Sequence, residues 1–263
     1  RGMAYVGGND GMLHAFKTGK LVQLTGADKA RMDNPDASTP LGSEVWAFIP
    51  KNTLPYLKYL TDPNYCHLFY VDAPVFLLDA SIEGNATDPK TASSWKTILI
   101  GSTGMGGGCR NAGETCTDCV KTPITDVGYS SYFALDVTDP NNPVLLWEFS
   151  DPTLGYSTSG PAVVRVGESF KNGNWYVVFA SGPTGPIDTT YHQYLGKSDQ
   201  NLKLFILDLK TGTLLRDIDT GTAYAFGCSL YNATLDTERG APQTLGHYND
   251  DVLYLGYTKK NST

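Results

Sequence analysis

The chain opens on alternating apolar and polar positions broken by a turn: Ala4-Tyr5-Val6-Gly7, then Gly8-Asn9-Asp10-Gly11, then Met12-Leu13-His14-Ala15-Phe16. Tyr and Val favour extended backbone and Asn-Asp-Gly tolerates positive φ, so the segment predicts a β-hairpin. The pattern recurs further along. Trp95-Lys96-Thr97-Ile98-Leu99-Ile100-Gly101 resembles Trp175-Tyr176-Val177-Val178-Phe179-Ala180-Ser181 in its leading Trp, its apolar run and its small-residue ending. Tyr132-Phe133-Ala134-Leu135-Asp136 is likewise matched by Leu204-Phe205-Ile206-Leu207-Asp208. Each passes through a turn, at 139–142 or 210–212, into Val144-Leu145-Leu146-Trp147 or Thr213-Leu214-Leu215-Arg216.

A repeat of several short strands with turn chemistry between them is what radial blades require, because one blade alone cannot bury both of its faces. The predicted fold is all-β, a β-propeller with quinoprotein-like blades. Residues 1–263 then form part of a single propeller domain of about four to five blades, the last incomplete, at about 40 to 50 residues per repeat. Glu44-Val45-Trp46-Ala47-Phe48 is expected to close the first unit, Asp251 to Gly256 to start another, and Leu68 to Asp79 to form a further hairpin. A β-sandwich also has many short strands, but nothing in it calls for a repeated leading Trp and a closing aliphatic-Asp pair. Helix is confined to Asn52–Leu60, where Pro55 limits it.

Composition narrows the partners. The net charge is −7 with the basic residues scattered, so the footprint of a nucleic-acid binder is missing and no nucleic-acid partner is expected. No stretch approaches the roughly 20 apolar residues of a membrane-spanning helix. Arg1-Gly2-Met3 lacks signal-peptide features, and both ends fall in strand-rich sequence, so the chain is expected to be a portion of a longer polypeptide.

Three of the five cysteines, Cys109, Cys116 and Cys119, crowd a Gly-, Asn-, Thr- and Asp-rich loop at 101–131 between the two halves of a blade. Haem attachment would need His after Cys119, where Val120 stands. Zinc would need a fourth ligand, and His14, His67, His192 and His247 lie at no finger-like spacing. A disulfide staple is the preferred reading, with Cys66 and Cys228 as a candidate long-range pair; the odd count leaves at least one thiol unpaired or paired outside the chain.

Catalytic signatures are scarce. Gly101 to Gly108 follows a strand but leads into loop rather than helix, so no helix amino terminus awaits a phosphate. Asp72, Asp79, Asp136, Asp139, Asp151 and Asp208 sit in turn contexts, where a carboxylate caps nearby amides. No Gly-x-Ser-x-Gly elbow occurs. Paired acids of a glycosidase can be distant in sequence, so residue types alone do not dismiss one. No enzymatic activity is expected.

Four segments taken together resemble the type IV pilus tip-associated adhesins and biogenesis factors of the PilY type, in their carboxy-terminal propeller: Tyr5 to Phe16, Glu44 to Pro50, Tyr132 to Pro140 and Asp251 to Tyr257. They span almost the whole chain. The first is shared with quinoprotein propellers generally; its combination with Trp46-Ala47-Phe48-Ile49-Pro50 and Ala134-Leu135-Asp136-Val137-Thr138 is specific. The resemblance implies a non-catalytic surface protein at the pilus tip or outer surface, exported through the periplasm. Its partners would be pilins or minor pilins and a host or abiotic surface ligand, and its roles pilus assembly, control of extension and retraction, and adhesion. The cysteine loop is a departure from the family and a candidate contact surface, with Tyr129, Tyr191 and Tyr194 in or beside the rim loops. Several members are similar in carrying a calcium loop where this chain has Asn249, Asp250 and Asp251, without the full Asp-x-Asp-x-Asp-Gly spacing. Calcium takes six to eight oxygens, so about half would have to come from carbonyls and water; a solvated turn is the competing reading. The alternatives are a quinoprotein-type dehydrogenase, which usually has adjacent cysteines that this chain lacks, and a periplasmic scaffold propeller for protein assembly.

Overall fold

The structure is a computed structural model that describes residues 2–26, 29–63, 65, 67–106, 127–184, 196–238 and 247–260. The first sheet comprises β1 (Gly2–Gly7), β2 (Leu13–Gln23), β3 (Ala30–Asp33) and β4 (Glu44–Phe48). β1 and β4 flank the first half of β2, and β3 pairs with its far end. The predicted hairpin is present: Gly8 N–H donates to the Met12 carbonyl at 2.8 Å, and Gly11 sits at φ +96°. The β2–β3 extension was not legible, because Leu21 and Met32 are exposed and leave no buried face to pattern it.

The second sheet runs β5 (Phe76–Ser81), β6 (Trp95–Ser102), β7 (Tyr132–Asp136), β8 (Val144–Phe149) in spatial order, all antiparallel. The third repeats it with β9 (Ala162–Val166), β10 (Asn174–Ala180), β11 (Asn201–Asp208) and β12 (Leu214–Ala223). Four short strands complete the described residues: β13 (Ala225–Gly227), β14 (Thr234–Leu235), β15 (Val252–Leu253) and β16 (Tyr257–Lys259), paired β13 with β16 and β14 with β15. The sequence repeat thus corresponds to a repeated up-and-down sheet. One expectation fails: Leu68 to Asp79 is not a hairpin. Leu68–Val71 is a buried connector packed beneath the Gly8–Met12 turn, with Val71 N–H donating to the Gly8 carbonyl, and Phe76 begins β5. The expected helical segment is a 3-10 helix at Leu54–Thr61, with Pro55 in its first turn.

The sheets stack as blades, and the period of two along each strand decides which blade each side chain meets. Ile98, Ile100, Tyr132 and Ala134 face the third sheet, where they pack with Val177, Phe179, Phe205 and Leu207. Leu99, Phe133 and Leu135 face the first, packing with Leu13, Trp46 and Phe48. Gly101 lies opposite Phe133 because a Cβ there would come within 2.4 Å of the Phe133 ring.

Two tryptophans join neighbouring blades. Trp46 lies opposite Ala15 and donates its indole N–H to the Pro140 carbonyl of the second blade at 2.8 Å. Trp147 lies opposite Ala134 and donates to the Leu209 carbonyl of the third at 2.8 Å. In both, a small residue on the adjacent strand makes room for the ring, and the acceptor lies in the turn after the next blade's third strand.

Candidate functional site

The loops sort to the two ends of the strands. At one end lie the Gly8–Met12 turn, the 3-10 helix and the two ends of the cysteine-bearing loop; at the other lie the 82–94 and 167–173 connections and residues 248–251.

The first rim is built on hydroxyls. Thr103 Oγ1 is 2.8 Å from Ser130 Oγ, which is 2.5 Å from Ser157 Oγ. Ser157 Oγ accepts the Gly104 N–H at 2.9 Å, and Ser131 N–H donates to Thr103 Oγ1 at 3.0 Å. Thr103, Ser130 and Ser157 are all buried between the second and third blades, and each finds a partner there, as buried hydroxyls must. Asn52 Nδ2 also donates to the Val127 carbonyl at 2.7 Å. Both ends of the insert are therefore tied to the blade core.

Aromatic rings cover this knot. Half-buried Tyr129 packs on buried Tyr156 with centroids 5.9 Å apart, and Tyr56 stacks on Tyr59 at 6.5 Å. Tyr70 donates its hydroxyl to the Tyr56 carbonyl at 2.6 Å. Burial pushes the phenols of Tyr56 and Tyr156 up to about 12 and raises Tyr70 further, so all three stay neutral donors at physiological pH. Tyr132 OH donates to the Ser159 carbonyl, and burial raises its pKa as well. Of these rings, Tyr129 and Tyr59 are half-buried at the rim, while Tyr56, Tyr70, Tyr132 and Tyr156 are buried beneath it.

The opposite rim is organised by Arg165, which is 7 % exposed. Its guanidinium donates to the carbonyls of Asn172, Gly167, Tyr248, Glu168 and Lys171 at 2.7–3.2 Å, closing the 167–173 hairpin and holding the stretch before β15 against it. Asn249 Oδ1 accepts the Gly167 N–H at 2.6 Å and Asp250 Oδ2 accepts the Arg165 N–H at 2.8 Å. Asp251 Oδ2 instead accepts from the N–H and hydroxyl of Thr237 at 2.8 and 2.6 Å. These hydrogen bonds hold the Asp251 carboxyl below its usual range, with the His247 ring adding to the effect.

Asn249, Asp250 and Asp251, weighed for calcium against a solvated turn, are therefore turned to different partners. The grouping that forms is Asp236, His247 and Asp251, with ligand atoms within 4.8 Å of one another. His247 Nε2 faces Asp251 Oδ1 at 3.2 Å, while Nδ1 accepts the Asn249 N–H at 3.1 Å. Both ring nitrogens are engaged, and two carboxylates and an imidazole fall short of the oxygen-rich shell that calcium takes. The set reads as a hydrogen-bonded knot. Asp236 lies 15 residues before Asp251 across a loop, so no spacing motif announced it; Arg165 gave no signal either, reading as an ordinary strand position.

Four of the carboxylates assigned to turns behave as expected, whereas Asp79 lies within β5 and accepts the hydroxyl of Thr97 on the neighbouring strand at 2.7 Å. Asp136, Asp139, Asp151 and Asp208 accept the backbone N–H of Thr138, Asn141, Thr153 and Thr211. Cys228 is exposed with a free thiol. Cys66, Cys109, Cys116, Cys119, Tyr191 and Tyr194 lie outside the described residues. No helix among the described residues is long and apolar enough to cross a membrane.

Residues 1–238 match the family model described as the PilY1 β-propeller domain. The chain is 32 % identical over 221 residues to a type IV pilus biogenesis factor PilY1 homolog of Xylella fastidiosa (strain Temecula1), covering 82 % of this chain and 10 % of that protein. It is 33 % identical over 221 residues to the type IV pilus biogenesis factor PilY1 of Pseudomonas aeruginosa (strain PAO1), covering 82 % and 13 %. It thus spans little more than a tenth of the length of these curated relatives. The crystal structure of the Pseudomonas aeruginosa PilY1 C-terminal domain aligns with 97 % of this chain and 36 % of its own, at a TM-score of 0.51 and 27 % identity. The blades of the structure are those of a β-propeller in which the described sheets form no closed ring. On the extent of the family match and the identity to these relatives, the chain belongs to the PilY1 β-propeller domain family.

Proposed function

We propose that this domain is a non-catalytic part of a type IV pilus biogenesis factor, displayed at the pilus tip or outer cell surface after export through the periplasm. The observation that carries the reading is the match of residues 1–238 to the PilY1 β-propeller model, joined by relatives that are named pilus biogenesis factors. The mechanism is presentation. The blades supply the scaffold, the hydroxyl knot ties both ends of the insert, and half-buried Tyr129, seated on Tyr156, stands beside them. A surface held in place loses little side-chain freedom on contact, and Tyr contributes large contact area at low entropy cost. Tyr129 and the insert would meet minor pilins or a surface ligand, coupling the domain to assembly, to extension and retraction, and to adhesion.

The test is chromosomal: deletion of residues 107–126, a Tyr129→Ala change and a null allele, each scored for surface pili, twitching motility and adhesion, with the protein's level measured by immunoblot. The expected result is loss of piliation in the null and impaired piliation or adhesion in the deletion at unchanged protein level. Normal pili in the null would remove the pilus reading altogether. A null defect with a fully competent deletion would instead move the contact surface away from this rim.

A further inference from the structure

Asn-x-Ser/Thr sequons stand at Asn85, Asn232 and Asn261, and the fold separates them. Asn85 lies in Glu83-Gly84-Asn85-Ala86-Thr87, which places an acid two positions before the Asn and keeps Pro out of both intervening positions. Leu230 and Lys259 hold the place of that acid in the other two. Glu83, Gly84, Asn85 and Thr87 are all exposed on the 82–94 connection, and the Thr87 hydroxyl has no partner among the described residues. Glu83 faces Lys96 at 3.7 Å with 55 % of its side chain exposed, a long surface contact that gives the acid no fixed role in the fold. Asn232, by contrast, sits at φ +56° between buried Leu230 and β14, where Thr234 pairs with Leu253. Asn261 lies outside the described residues.

The main chain of the 82–94 connection is fastened while its sequon side chains are exposed. Asn172 Nδ2 donates to the Glu83 and Asn85 carbonyls at 2.9 and 3.0 Å, and the Gly173 N–H donates to the Ala86 carbonyl at 2.9 Å. Asn85 Nδ2 donates to Asp88 Oδ2 at 3.2 Å, which uses one of its two N–H groups and leaves the other for substitution.

We propose that Asn85 is a glycosylation site, modified during export by a transferase of the bacterial type, which reads Asp or Glu two places before the Asn as well as Ser or Thr two places after it. The Asn85 amide nitrogen attacks the anomeric carbon of a polyprenyl-diphosphate-linked oligosaccharide. The N–C bond forms, the C–O bond to the diphosphate breaks, polyprenyl diphosphate leaves, and Nδ2 gives up one proton to solvent. The remaining N–H keeps the Asp88 hydrogen bond, so the turn closes as it does without the sugar. Asn172, which fastens the loop, lies 87 residues beyond Asn85, so in a chain exported amino terminus first the sequon is free before its fastener arrives. The glycan then stands on the rim that carries exposed Trp95 and Phe170, a bulky and solubilising group opposite the cysteine-bearing insert.

The proposal rests on the export that the proposed function includes, and the test keeps the two apart. The full-length protein is fractionated from the cells that make it, and the tryptic peptide ending at Lys90 is read by mass spectrometry. In exported protein this peptide should carry an oligosaccharide mass on Asn85. The mass should be lost in Asn85→Gln, Thr87→Ala and Glu83→Gln and kept in Thr87→Ser, at unchanged protein level. A bare peptide in exported protein, a glycan indifferent to Glu83→Gln, or sugar on Asn232 or Asn261 with Asn85 bare would overturn the proposal and leave export standing. Protein confined to the cytoplasm would overturn the export reading and the proposal with it.

Discussion

Trp147 is the residue on which the seam between the second and third blades depends most, and its replacement separates packing from hydrogen bonding. The side chain is 6 % exposed within the cluster of Phe179, Phe205 and Leu207, and its indole N–H satisfies the fully buried Leu209. Truncation to Ala removes a buried ring and leaves a cavity, at a cost of about 3–5 kcal/mol. Trp147→Phe keeps most of the apolar volume but leaves the Leu209 carbonyl without its donor, at about 1–3 kcal/mol. At about 2–4 °C per kcal/mol for a chain of this size, the Ala variant should melt about 6–20 °C lower. The assay is thermal and urea unfolding followed by far-UV circular dichroism, since fluorescence would itself change with the loss of an indole. Gly212 supplies an internal check. It lies at φ +68° with a Cβ position 2.4 Å from Trp147 Cγ, so Gly212→Ala meets both backbone strain and the ring. Combined with Trp147→Ala the contacts with Cγ and Cδ2 vanish while the Cβ of residue 147, 2.5 Å from that position, remains, so the two costs should sum to only slightly less than their separate values. A Trp147→Ala variant within about 0.5 kcal/mol of the parent would refute the clamp.

Arg165→Met should cost about 2–3 kcal/mol, because the buried guanidinium donates to five carbonyls, of which Asn172 and Glu168 keep other donors and the rest lose theirs. Amide exchange should accelerate first in residues 167–173 and 248–250, and uniform exchange changes would count against a local role. Burial pushes the Asp136 carboxyl up, but the Thr138 N–H and hydroxyl together with Lys96 outweigh it and hold the pKa below its ordinary value. A folded-state pKa below the unfolded one contributes stability above about pH 4 that is lost as pH falls through the folded value. Asp136→Asn should therefore be less stable at pH 7 and show a flatter acid limb in melts between pH 7 and 2. Cys228, exposed and free, should be alkylated in the native, unreduced protein; labelling that appears only after reduction would instead establish a disulfide at that position.

The blades were legible because their inner strands are buried on both faces. Ile98, Leu99, Ile100 and Phe133 to Leu135 are all buried, and turn residues punctuate them, so the runs and the closing Asp of each third strand stand out. Where both faces of a strand are exposed, as at Leu21 and Met32, no pattern exists to read, and Leu68–Val71 misleads because a buried connector has the composition of a strand.

The candidate sites were less legible for a different reason. Tyr129 could be placed beside the insert from its position in the chain, but that it packs on Tyr156, above a knot of Thr103, Ser130 and Ser157, depends on two blades meeting. In the Asn249–Asp251 run, Gly167 and Arg165 of the third blade donate to Asn249 and Asp250, and Thr237 donates to Asp251, partners that no local spacing announces. Local alternation and turn chemistry act between neighbours in the chain, so the sequence alone determined the strand repeat, the all-β class and the family resemblance. Which hydroxyls hydrogen-bond to one another, which acids meet His247 and which tryptophan reaches which carbonyl are contacts between residues 27 to 94 positions apart or across a loop, and only the packing of sheet on sheet decided them.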